Sequence, residues 1–77
     1  MEVEEVKNLI QNGLDGCNVK VKDLQGTGDH FSAEVIWSGF EGMTLIQQHQ
    51  AVYETLGKFL TNEIHALQLK TAINEKG

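Results

Sequence analysis

The chain is 77 residues long, enough for one small domain, and its 40 % hydrophobic and 22 % charged content is ordinary for a globular protein. It has no apolar run of about 18 residues, which excludes a membrane-spanning helix. Eleven acidic residues face six lysines and no arginine, for a formal net charge of −5, so a phosphate backbone is repelled and the side chain best suited to bidentate phosphate or base contacts is missing.

The acidic start, Met1-Glu2-Val3-Glu4-Glu5, does not resemble a secretory signal or a transit peptide. The single cysteine, Cys17, has no internal partner for a disulfide, and the natural setting is reducing and intracellular, taken here as cytoplasmic. A core of this size leaves only a few kcal/mol of net stability.

In chain order, residues 2–12 read as a helix: Val3, Val6 and Ile10 share a face, and Glu2, Glu4 and Glu5 suit the positive end of the helix dipole. Gly13 and Gly16 stop it. Val19 and Val21 alternate with Lys20 and Lys22, a half-buried strand from about Cys17 to Leu24. Gly26-Thr27-Gly28-Asp29 is a turn, expected as a hairpin loop of about four residues. Phe31, Ala33, Val35 and Trp37 then alternate with His30, Ser32, Glu34 and Ile36, a second strand.

Phe40 and Gly42 mark the turn into a long helical region, which Thr44 caps if Met43 lies outside. At about 100° per residue, Leu45, His49, Val52, Leu56 and Phe59 fall in one row and Ile46, Tyr53 and Leu60 in the next, with Gln47, Gln48, Gln50, Glu54, Thr55 and Lys58 opposite. The phase predicts that His49 is buried against the sheet. Gly57 predicts a kink or split. Leu67, Leu69, Thr71 and Ile73 alternate with Ala66, Gln68, Lys70 and Ala72, a third strand, and 74–77 is a polar tail. The order predicts one α+β domain over 1–77, with an ordered core of about 2–73 and helices on one face of a three-stranded mixed sheet. A helical crossover of more than about 20 residues allows the third strand to lie parallel to the second with a right-handed connection. His30 and His65, each at a strand start, then meet at one end of the sheet.

His30 and His65 each have two readings. His30 points away from the core beside a glycine-containing loop, as a solvated side chain or as a ligand. His65 sits at the edge of the core, hydrogen-bonded there or free to ligate. Two imidazoles suit zinc, copper or iron but do not complete a site, so any further ligands come from a partner. Cys17 has the parity of Val19 and Val21 and packs as a small apolar group. Gly39-Phe40-Glu41-Gly42 has the spacing of a nucleic-acid-clamping loop, but its aromatic and acidic interior reads as the lead into a helix. No nucleophile–base pair and no paired carboxylates on one face are visible, and no enzymatic activity is expected.

Asp29-His30-Phe31, Phe40-Glu41-Gly42-Met43, Gln48-His49-Gln50-Ala51-Val52-Tyr53 and Ile64-His65-Ala66-Leu67, in that order, resemble the BolA-like proteins over about Val3 to Ile73. The resemblance implies a class II KH-like αββααβ fold. It also implies a monothiol glutaredoxin partner with which a [2Fe-2S] cluster is shared, the glutaredoxin cysteine and glutathione supplying thiolates. The family's C-terminal histidine ligand corresponds to His65, and the ligand from the loop between the first strands to His30. His49, Phe40, Gly42 and Tyr53 are given structural roles. Some family members are described as transcriptional regulators. This chain departs from what DNA binding needs, having no arginine, a negative charge and no basic glycine loop. From its position His65 is expected to be held before a partner arrives, and His30 to lie in a mobile loop.

Overall fold

Reciprocal capping between Glu2 and Glu5, in which the Glu2 amide donates to Glu5 Oε1 at 2.9 Å, starts α1 (Val3–Gly13). The computed structural model describes residues 1–26, 28, 30–57, 59–62, 64 and 66–74. α1 buries Val6 and Ile10 and ends where it crosses the next long helix. A Cβ on Gly13 would overlap Thr55 Cγ2, so the crossing requires glycine there. Gly16, at φ +81°, turns the chain into β1 (Asn18–Asp23).

β1 pairs antiparallel with β2 (His30–Ile36), and β2 pairs in parallel with β3 (Ala66–Ala72), giving the sheet order β1-β2-β3. Both the mixed sheet and the single helical layer follow the sequence reading. The loop does not: Asp23 is opposite Phe31, so six residues, 24–29, separate the strands instead of four. The Asp23 carboxylate accounts for the difference, because it accepts from the amides of Gln25 (3.2 Å), Gly26 (2.9 Å) and Gly28 (2.9 Å) and holds a longer loop together.

After β2, a single 3-10 turn (Ser38–Phe40) folds Phe40 under the helical layer, fully buried and edge-on to Trp37 at 5.2 Å. Gly42, at φ +85°, completes the reversal. Thr44 then caps α2 (Leu45–Leu56): the Gln47 amide donates to Thr44 Oγ1 at 3.1 Å and the Thr44 amide to Gln47 Oε1 at 2.9 Å. Gly57, at φ +52°, ends α2, and a short α3 (Phe59–Asn62) follows, so the region splits at the glycine.

The face that α2 buries is rotated from the one its apolar pattern predicts. Val52 and Leu56 are buried as expected, but Leu45 is 61 % exposed and Ile46 70 % exposed, while Gln48 and Thr55 turn inward to half-buried positions. The cause is local satisfaction of their polar atoms. Gln48 donates to the Met43 carbonyl at 3.1 Å and accepts from Thr71 Oγ1 at 2.7 Å, and Thr55 donates to the Val52 carbonyl at 2.6 Å. His49 is therefore half-buried, not buried as its phase predicted, and lies edge-on to the half-buried Tyr53 at 6.3 Å.

The core joins Val6, Ile10 and Leu14 of the α1 segment to Val19, Phe31, Ala33 and Val35 of the sheet, closed by Phe40, Val52, Leu56 and Ile64. Among the described residues no helix is long and apolar enough to cross a membrane.

Candidate functional site

His30 is the first residue of β2 and half-buried, on the strand face opposite Phe31, Ala33 and Val35. Its carbonyl accepts from the Leu24 amide at 2.8 Å, and its register partner on β3 is Ala66. The preceding loop is tied by Asp23 and by the Met1 ammonium group, which donates to the Gly28 carbonyl at 2.9 Å. The backbone of His30 belongs to the ladder, and the described loop residues Gln25, Gly26 and Gly28 are bonded to Asp23. Thr27 and Asp29 lie outside the described residues.

His65 also lies outside the described residues. Its neighbours in the chain do not. Ile64 is 2 % exposed and its amide donates to the Phe59 carbonyl at 2.8 Å, while Ala66 opens β3 opposite His30. The parallel register thus brings the chain on either side of position 65 to the end of the sheet that carries His30, across 35 positions of sequence.

The remaining thiol is not at this end. Cys17 precedes Asn18, which pairs with Ile36 at the far end of β2, roughly 20 Å along a six- or seven-residue strand. Its Sγ is 3.9 Å from the Ile10 carbonyl, and it packs against the core as its parity predicted. Burial pushes the thiol up from its usual value, which disfavours the thiolate that ligates or attacks. His49 is on α2 and, among the described residues, joins no ligand group. Among the described residues no three His, Cys, Asp or Glu side chains come together as a metal site.

At the other end of the sheet, Glu41, Leu45 and Gln48 face Lys70 to Asn74 across an open groove of about 690 Å³. Sequence reasoning missed this groove because it placed Leu45 in the core. It also missed Asp23, although an aspartate three residues before Gly26 and five before Gly28 is a recognisable signal for a side-chain-closed turn.

A two-layer αββααβ domain on a three-stranded mixed sheet is an α+β fold. The chain belongs to the BolA-like protein family, whose model matches residues 6–76. A bolA protein homologue from Coxiella burnetii has a similar structure, with a TM-score of 0.81 and 35 % identity, covering 99 % of this chain and 94 % of that one. The acid stress protein IbaG of Escherichia coli (strain K12) is 32 % identical over 71 residues, 91 % of this chain and 81 % of its own length. A Haemophilus influenzae relative named as the DNA-binding transcriptional regulator BolA is 33 % identical over 45 residues, covering 58 % of this chain and 44 % of its own.

Proposed function

We propose that this BolA-like protein is a non-enzymatic partner of a monothiol glutaredoxin, sharing a [2Fe-2S] cluster with it and acting in cluster assembly, cluster transfer or iron sensing. The observation that carries the reading is the parallel pairing of His30 with Ala66, the residue that follows His65 in the chain. His30 and His65 are the proposed imidazole donors, and glutathione and the glutaredoxin cysteine the thiolate donors. Replacing thiolate by imidazole removes negative charge at the iron and raises the potential, as in Rieske centres. The protein's own contribution is to present His30 at the head of β2 beside the strand start that follows His65.

The test is co-expression with a monothiol glutaredoxin, followed by visible absorption and circular dichroism of the purified complex. Cluster bands are expected in the wild type and lost in His65→Ala. His30→Ala should retain a weaker cluster with altered dichroism, and His30→Cys should keep a cluster of lower potential. Absence of cluster bands in the wild-type complex would end this reading and leave an adaptor that binds glutaredoxin without a cluster.

DNA-binding regulation, the role in the Haemophilus influenzae relative's name, is the second reading. Charge opposes it. With a net charge of −5 and no arginine, affinity for duplex DNA at physiological salt should be weaker than about 10⁻⁴ M, the loose end of non-specific binding.

A further inference from the structure

The helices cover one face of the sheet and leave the other open. That face carries Asn18, Lys20 and Lys22 from β1, His30, Ser32, Glu34 and Ile36 from β2, and Gln68 and Lys70 from β3. The register sets Lys20, Glu34 and Lys70 in one row and Lys22, Ser32 and Gln68 in the next. Lys20, Lys22 and Lys70 are exposed, while Ser32 and Glu34 between them are half-buried. Lys20, Lys22, Ser32 and Glu34 line a shallow hollow of about 310 Å³. Half of the chain's six lysines are thus gathered on one face against one glutamate among the described residues, in a molecule of net charge −5.

We propose that this open face is a docking surface for an extended acidic segment of a protein partner. Lys20 and Lys22 stand about 7 Å apart along β1, the spacing at which alternate side chains of an extended chain project to the same side. Lys70 lies two strands away, about 10 Å from Lys20. Carboxylates at alternate positions of an extended segment match the β1 pair, and Ser32 offers a hydroxyl donor in the hollow between them. Screening over about 8 Å lets a local cationic patch act within a net anionic molecule. The same arithmetic disfavours nucleic acid, whose phosphates continue past the patch onto the acidic remainder of the surface. Lysines on edge strands also guard against pairing with a further strand. That role does not require a hollow on the sheet face lined with Ser32 and Glu34.

The probe is a hexaglutamate peptide, titrated into the ¹⁵N-labelled protein at low ionic strength. Amide shifts are expected at Lys20, Lys22, Ser32 and Lys70, and they should disappear at about 0.5 M salt. The double variant Lys20→Glu/Lys22→Glu, at two exposed positions, should bind at least about tenfold more weakly. Glu34→Gln, which removes the opposing charge, should bind about two- to threefold more tightly. Shifts that are absent or scattered over the surface overturn the proposal, as does unchanged binding by the double variant, which would leave the lysines as edge guards. A DNA duplex that gives the same shifts at lower concentration than the peptide overturns it in favour of nucleic acid.

Discussion

β2 and β3 lie side by side in one sheet, with parallel ladders and the same alternation, yet they are covered very differently. The inward residues of β2, Phe31, Ala33 and Val35, are at most 1 % exposed, whereas those of β3, Leu67, Leu69 and Thr71, are only half-buried. α1 packs on β1, while α2 meets β3 through the Gln48–Thr71 bond, and the groove beside Leu45 and Gln48 is left along the end of β3. The difference teaches that packing energy is concentrated in the β1–β2 half, and that β3, the strand that follows His65, sits at the lightly packed edge. Regions with few buried apolar contacts open at lower free energy, which is where partner-binding segments are commonly found.

The sharpest way to break this comparison is truncation on each side of it. Phe31→Ala should cost about 3–5 kcal/mol, as much as a small domain has to lose, and Leu69→Ala about 1 kcal/mol, below the range for a fully buried leucine. Urea midpoints measure both. Similar losses at the two positions would show that β3 is packed as firmly as β2.

A smaller effect tests the seal at the end of β2. A Cβ on Gly39 would overlap the Trp37 indole, whose Nε1 donates to the Asp15 carbonyl at 2.8 Å and ties the α1–β1 turn to the sheet. Gly39→Ala should displace the ring and cost about 1–3 kcal/mol. Trp37 is the chain's one tryptophan, so its emission reports the displacement directly. Unchanged emission with unchanged stability would mean that the turn absorbs the methyl group.

The contrast between these strands also explains what was legible beforehand. Period-two alternation revealed both strands and, with the long crossover, the parallel pairing that brings His30 to Ala66. The capping of α2 at Thr44 and its split at Gly57 were equally readable, because each depends on residues within one turn. The buried face of α2 was not. Apolar periodicity treats Gln48 and Thr55 as solvent-facing, but a glutamine bonded to Thr71 and Met43 and a threonine bonded to Val52 tolerate half-burial, and the helix turns accordingly. The hydrogen bonds beside His30 were missed for a related reason. Two glycines marked the turn, and the side chain that accepts from its amides, Asp23, stands before them on β1.

The Gln48–Thr71 bond links α2 to β3 across this unevenly covered sheet, and it gives the third test. Gln48→Ala and Thr71→Val should each cost about 1 kcal/mol, and the double variant less than the sum, since either change alone leaves a half-buried partner unsatisfied. Strict additivity in denaturant unfolding would show that the two side chains contribute independently.

The smallest effect belongs to Cys17, on the well-packed half. Desolvation is the main cause of its raised pKa; a backbone hydrogen bond pulls the thiol partly back, and the Asp15 carboxylate adds a further push upward. The neutral thiol is therefore favoured in the folded chain. Its small contribution to stability is fully present below the unfolded value, near 8.5, and is lost as pH rises through the higher folded value. At pH 8 the folded protein should react with iodoacetamide more slowly than the urea-unfolded chain, because both the thiolate fraction and access are reduced. The two rates should draw together only as the pH is taken well above the usual thiol range. Equal rates at pH 8 would show Cys17 to be solvated and reactive, and would return it to consideration as a ligand despite its position at the far end of β2 from His30.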